Sequence, residues 1–133
     1  PQQIGGTEGR RDATARGGVI CVREACRTLG IDPTGAFAIQ GFGTLARAAA
    51  YALAQKGVRI MALADVEKCI ISENGQGLDV NRLLRAEGTL LPGKVNGSGV
   101  KVAAREEIYQ VPCAVLLPAA VERALQQALA NCL

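Results

Sequence analysis

Three small residues and one acid carry the strongest chemical signal in this chain. Gly41, Gly43 and Ala46 follow the apolar run Phe37-Ala38-Ile39 at the spacing G-x-G-x-x-G/A. In a strand–turn–helix unit, the first glycine permits a sharp turn. The second leaves room for a pyrophosphate against the backbone, and the third small residue lets the helix pack on the strand. A helix starting at Thr44 would add unpaired N–H groups and the positive end of its dipole. Asp65 lies 24 residues beyond Gly41. That is close to the distance at which an acid accepts bonds from the ribose hydroxyls of a dinucleotide. The pattern predicts dinucleotide binding, with Asp65 favouring NAD over NADP.

Other chemistry finds little support. The chain has no histidine, so the commonest general base is absent. Its lysines are Lys56, Lys68, Lys94 and Lys101, and no carboxylate pair or nucleophile–base pair accompanies them. Cys21, Cys26, Cys69, Cys113 and Cys132 form no C-x-x-C pair, and their spacing predicts no metal site. They read as free core thiols of a protein from a reducing cytoplasm.

The 133 residues suffice for one domain with a core. Hydrophobic residues make up 49% of the chain and aromatics only 3%, so Ala, Val, Leu and Ile must fill that core. This suits a parallel sheet covered by alanine-rich helices. The net charge of +3 is dispersed, with no basic run interleaved with aromatics, which argues against nucleic acid. No apolar stretch is long enough to span a membrane, and no signal peptide is visible.

These residues need a scaffold. After an irregular lead-in over 1–11, a helix is expected from Ala13 to Leu29, with Asp12 as N-cap and Gly30 as the stop. Gly17 and Gly18 inside it imply either a close helix–sheet contact or room for a ligand. Strands are expected at Ala36–Gln40, Arg59–Ala64 and Ala114–Leu117, with a helix over Leu45–Gln55. The unit around Gly41 is therefore βαβ, with parallel strands. Weaker signals place an extended piece at Cys69–Ser72 and a helix from Val80, capped by Asp79, to about Ala86. A loop should follow over Gly88–Gly99, then a short strand at Val100–Ala103 and a helical turn at Arg105–Tyr109. A last helix is expected from Val121 towards Leu129. The alternation predicts an α/β, doubly wound, mostly parallel sheet of Rossmann type, incomplete on its C-terminal side.

Several pieces, in order, resemble the glutamate/leucine/phenylalanine/valine dehydrogenases, above all the coenzyme domain of the glutamate enzymes. Gly5-Gly6, Gly9-Arg10 and Ala13-Thr14-Ala15-Arg16-Gly17 are similar to that family's GG…GR…ATGRG segment. Ala38-Ile39-Gln40-Gly41-Phe42-Gly43 resembles its VAIQGFG core. Asn74-Gly75 with Gly77-Leu78-Asp79-Val80 resembles its NG…GLDV segment, and Leu117-Pro118-Ala119-Ala120 its IPAA. Departures are Thr44-Leu45-Ala46 where the family has Asn-Val-Gly, Ala15 for a glycine, and Ala114 for an acid.

The resemblance implies a nicotinamide cofactor and oxidative deamination of an L-amino acid to a 2-oxo acid. By position, it places Arg10 and Thr14 near the nicotinamide end. Gly41, Phe42, Gly43, Thr44 and Leu45 would cradle the pyrophosphate, Asp65 and Val66 would meet the adenosine ribose, and Ala119 and Ala120 would line the pocket. NAD is the expected cofactor, with NADP a second choice. The family's catalytic lysines and aspartate belong to a separate, preceding substrate domain, so no catalytic residue is expected here. Such a piece should self-associate or dock on a substrate domain. Three readings stay open: the coenzyme part of a dehydrogenase, a nucleotide-binding or regulatory module without catalysis, and an interaction protein that keeps only the fold.

Overall fold

A computed structural model describes residues 9–85, 88, 91–92, 95 and 99–120, with the backbone alone at Arg10 and Arg11. The expected final helix from Val121 and the end of the expected helix at Ala86 lie outside these residues. The described chain runs α1 (Arg10–Thr28), β1 (Ala36–Gln40), α2 (Thr44–Ala54), β2 (Arg59–Ala64), β3 (Lys68–Ser72), α3 (Val80–Leu84), β4 (Val100–Ala104), a 3₁₀ turn (Arg105–Gln110) and β5 (Val115–Pro118). The five strands form one open sheet in the order β4-β3-β2-β1-β5. β1 pairs parallel with both β2 and β5, whereas β3 is antiparallel to β2 and to β4. Four of the five strands thus point the same way, and the class is α/β with a mostly parallel sheet.

The sheet is buried through the alternation of its strands. Phe37 and Ile39 of β1 join Ile60 and Leu63 of β2 in a large core beneath α1, α2 and α3. Ala38, Ala62 and Ala64 face the other way, against Cys69 and Ile108. Ile60 and Leu63 are three apart yet share a face, because the β1–β2 register slips between Phe37 and Ala38. Small residues on the second face allow the 3₁₀ turn to lie close to the sheet, with Ile108 fully buried. On the first face, α2 buries Ala46, Ala49, Ala50 and Leu53, one stripe at helical spacing.

Helix α1 starts earlier than its sequence implies. Gly9 at φ 80° is the N-cap, and no side chain caps the helix. Asp12 is therefore not the cap. It lies in the first turn, where acid is favoured, and pairs with Arg16 at 2.7 Å. The other end is as expected. Gly30 is left-handed at φ 71°, and the amides of Gly30 and Ile31 donate to the carbonyls of Arg27 and Cys26. That pair of bonds is a Schellman motif. Gly17 and Gly18 are both exposed, and a Cβ on either would meet no atom of the described residues within 4 Å. The expected close helix–sheet contact is absent there.

The sites of the weaker sequence signals form true strands. The expected piece at Cys69–Ser72 is β3, and β4 extends the sheet beyond it. Asp79 caps α3 as expected, accepting from the Arg82 amide at 3.0 Å. The third sequence-predicted strand, expected over Ala114–Leu117, is shifted by one residue to Val115–Pro118. Cysteines are less uniformly internal than expected: Cys26 and Cys69 are buried, Cys113 is intermediate and Cys21 is exposed. Among the described residues, no helix is long and apolar enough to cross a membrane.

Candidate dinucleotide-binding cleft

From the C-terminal end of β1 the chain continues to β2 on one side of it in the sheet, and later returns as β5 on the other. Such a switch point leaves a crevice outside the carboxyl ends of the strands. Backbone bonds hold the three strand ends together. Gly41 N donates to Ala64 O at 2.7 Å, and Ala119 N donates to Gln40 O at 2.7 Å. A cleft of about 630 Å³ opens there, bounded by Gln40–Leu45, Ala64–Val66, Arg105, Glu106, Tyr109, Ala119 and Ala120.

The two glycines of the turn serve different ends. Gly41 has φ 122°, and a Cβ there would lie 2.5 Å from the Ala119 carbonyl oxygen. Its glycine is required by the protein's own packing. Gly43 has ordinary extended backbone, φ −72° and ψ −175°, and a Cβ there would meet nothing within 4 Å. Among the described residues, no atom requires a glycine at this position. The space it leaves belongs to the cleft. Gly43 is also the N-cap of α2, and no side chain caps that helix. The first N–H groups of α2 therefore face the cleft without an intrahelical acceptor. Ala46, the third small position, is fully buried beneath the helix.

The Phe42 ring is buried, and the Arg47 guanidinium lies over it with its carbon 4.7 Å from the ring centre. Arg47 also donates to the carbonyls of Leu84, at 2.6 Å, and Gly88, at 3.1 Å. Phe42 can thus meet a ligand only through its backbone. Gln40 Nε2 donates to Tyr109 Oη at 2.6 Å, while Gln40 Oε1 is buried without a hydrogen-bond partner among the described residues.

Of the sequence-predicted site residues, Gly41, Phe42, Gly43, Thr44, Leu45, Asp65, Val66, Ala119 and Ala120 all line this cleft. Thr14 does not: it is exposed on α1. The Arg10 side chain lies outside the described residues. Asp65 reaches the cleft, but its carboxylate is otherwise engaged. Oδ1 accepts from the amides of Glu67, at 2.7 Å, and Lys68, at 2.8 Å. Oδ2 accepts from Leu91 N at 2.6 Å and lies 3.6 Å from Lys68 Nζ. The side chain is only 1% exposed. Burial works to raise its pKa, but the amides of Leu91, Lys68 and Glu67, with the Lys68 charge, outweigh it and hold the carboxyl below its ordinary value. Asp65 is a loop anchor in this structure, and its carboxylate has no surface to offer the ribose hydroxyls expected of it.

No local spacing marks Arg105, Glu106 and Tyr109 as cleft residues. They arrive from the 3₁₀ turn, far along the chain from the end of β2. Arg105 Nη1 donates to the Val66 carbonyl at 3.4 Å, and its Nε pairs with Glu106.

Residues 5–133 match the profile of the Glutamate/Leucine/Phenylalanine/Valine dehydrogenase family. The chain belongs to this family. It is 35% identical over 130 residues to the glutamate dehydrogenase of Thermotoga maritima, covering 94% of this chain and 30% of that protein. It is 30% identical over 128 residues to the cryptic catabolic NAD-specific glutamate dehydrogenase GudB of Bacillus subtilis, covering 96% of this chain and 29% of that one. The hetero-hexameric glutamate dehydrogenase of Thermus thermophilus, solved with leucine bound, superposes with a TM-score of 0.82 at 28% identity, over all of this chain and 30% of that one. The chain thus spans about three tenths of the length of these family members.

Proposed function

We propose that the cleft binds a nicotinamide dinucleotide, and that these residues form the cofactor-holding part of a glutamate-dehydrogenase-like enzyme. The observation that carries this reading is Gly43, a glycine that neither backbone conformation nor packing among the described residues demands. It opens the space in front of an uncapped helix start at the switch point of the sheet. In that space Gly43, Thr44 and Leu45 would hold the pyrophosphate on their amides, with the α2 dipole adding to the attraction. The adenosine ribose would lie at the end of β2, over Val66, where Asp65 shapes the loop from beneath. Ala119 and Ala120 would flank the opposite side.

When bound, the nicotinamide supplies a two-electron hydride acceptor, as oxidative deamination of an amino acid requires. The residues of this chain bind and orient it. Among the described residues, the titratable side chains of the cleft are Asp65, Arg105, Glu106 and Tyr109, all on its β2–3₁₀ side. None of the described lysines lines it. Proton abstraction from the substrate is therefore assigned to residues other than these, and the described residues by themselves should not turn over amino acids. The test is calorimetry with NAD on the wild type and Gly43→Val. The backbone there suits any L-residue and an added Cβ meets no described atom within 4 Å, so circular dichroism should be unchanged while binding is lost. Unaltered affinity in the variant would overturn the reading.

A further inference from the structure

We infer that Arg47 is the positioning residue of the glycine turn: from outside the cleft, it holds the Gly41-Phe42-Gly43 backbone in the shape that receives a pyrophosphate. The inference rests on the dinucleotide reading above. A turn rich in glycine loses much conformational entropy when it is ordered. A ligand that has to order it binds more weakly than one that finds it ready. Gly41 is held by its own backbone, through the bond to Ala64 O and the close approach of Ala119. Gly43 has no such neighbour, since an added Cβ there meets no described atom within 4 Å. The one side chain by which this turn can be gripped is the ring of Phe42.

Arg47 holds the turn in two ways. Its amide donates to the Gly43 carbonyl at 2.9 Å, the bond that closes the first turn of α2. Its guanidinium lies over the Phe42 ring, with its carbon 4.7 Å from the ring centre. The ring itself is buried in the large core. Phe42 is therefore fixed between that core and a cation on its face, a favourable contact. The same guanidinium donates to Leu84 O at 2.6 Å and Gly88 O at 3.1 Å, at the end of α3 and just past it. That anchor is firm, because Val80 and Leu83 of α3 are buried in the same core. A planar fork can cover a ring and reach two carbonyls at once, which a lysine ammonium cannot. Arg47 is not among the residues that bound the cleft. Its effect on a ligand must pass through Phe42 and Gly43.

The experiment is calorimetric titration of the full chain with NAD and with ADP, on the wild type, Arg47→Met, Arg47→Lys and Arg27→Met. Circular dichroism fixes the folded fraction of each, so that affinity is read for folded molecules alone. A purely structural residue would change the melting temperature and leave that affinity unaltered. Both Arg47 variants should bind NAD more weakly on the order of tenfold, the scale of a charge-assisted hydrogen bond. ADP should lose the same factor, because it carries the pyrophosphate. NMR order parameters of the Phe42, Gly43 and Thr44 amides should fall in the free variants and recover when NAD saturates them. Arg27→Met removes a positive charge at the end of α1 that leads into β1, away from the cleft, and should leave the affinity as it is. The inference is overturned if both Arg47 variants bind NAD as the wild type does, or if Arg47→Lys restores full affinity. Weakened binding with unaltered order parameters, or an equal loss in Arg27→Met, would also overturn it in favour of a general charge effect. Should Arg47→Met not fold, Arg47→Lys carries the comparison, and failure of both to fold would make Arg47 a residue of stability alone. In all these cases the dinucleotide reading survives. A wild type that binds neither NAD nor ADP would overturn both.

Discussion

The carbonyl oxygen of Ala119 stands 2.5 Å from the point where a Cβ on Gly41 would lie. This approach brings the ends of β1 and β5 together and sets the floor of the cleft. A methyl group at Gly41 would collide with backbone rather than with a flexible side chain, and would impose φ 122° on an L-residue. Gly41→Ala should therefore destabilise the fold on the order of 3 kcal/mol, from strain and overpacking together. Gly43→Ala, two residues on, should cost about 1 kcal/mol or less, because the weaker N-cap is offset by the smaller entropy of the unfolded chain. Chemical denaturation of both variants checks the contrast. Equal losses would mean that the two glycines do not divide the work in this way.

Asp65 offers a second stability test. Its carboxylate takes three backbone amides at 2.6–2.8 Å and ties the β2–β3 turn to Leu91. Asp65→Ala would leave three donors without their acceptor, at a cost on the order of 3 kcal/mol. Hydrogen exchange should speed up at the amides of Glu67, Lys68 and Leu91 first. A variant as stable as the wild type would show that water replaces the carboxylate freely.

The same carboxylate predicts the acid limb. The folded state holds the Asp65 pKa below its ordinary value of 3.8, so on acidification the unfolded chain takes up its proton first. The stabilisation is present in full above that ordinary value and is lost as pH falls through the lower, folded value. Exposed Asp32, whose pKa is lowered by bonds from Thr34, acts in the same direction. Stability measured across the range below about pH 4 should fall steeply in the wild type. Asp65→Asn, which cannot titrate there, should be less stable at neutral pH and flatter in acid. An unchanged acid slope would remove Asp65 from the account.

Asp65 also marks the boundary between what residue types and spacing reveal and what they conceal. β1 and β2 have the expected limits because Phe37, Ile39, Ile60 and Leu63 are apolar enough to demand burial, and glycines punctuate their ends. The turn at Gly41–Ala46 is legible because its spacing reflects local geometry. The role of Asp65 is not. An acid 24 residues past the first glycine has the same position whether its oxygens point into the cleft or back into its own loop. Only the Leu91 amide, far along the chain, decides between them. Arg105 and Tyr109 are hidden for the same reason, since their place depends on the 3₁₀ turn lying against the alanines of β1 and β2. The start of α1 is misleading because Asp12 is a good cap by type, and Gly9 takes that role through its backbone.

The cysteines should differ sharply in reactivity. Burial, with Glu107 and Asp65 nearby, pushes the Cys69 thiol up to about 12, so almost none of it is thiolate at neutral pH. Cys26 is buried and Cys113 partly so, with the Cys113 thiol also raised by burial. Cys21 is exposed on α1. In the native protein, iodoacetamide followed by peptide mapping should label Cys21 well before Cys113, with Cys69 and Cys26 protected until the fold is denatured. Early labelling of Cys69 would mean that the second face of the sheet opens readily.

Gly17 and Gly18 provide the remaining test, because the two expectations for them make opposite predictions. Both sit inside α1, where a glycine costs about 0.5–1 kcal/mol relative to alanine through lost backbone entropy. A close contact with the sheet would make alanine worse. Among the described residues there is no such contact: both are exposed, neither has positive φ, and an added Cβ meets no described atom within 4 Å. The helix packs instead through Ala15, Val19 and Cys26, on its other side. The double variant Gly17→Ala/Gly18→Ala should therefore gain about 1–2 kcal/mol and melt about 4 °C higher or more. If nothing but solvent meets this face, dinucleotide affinity should be unchanged. A lower melting temperature would mean that another segment or another chain covers the helix here. A higher melting temperature with weakened dinucleotide binding would restore the second expectation, that these glycines make room for a ligand.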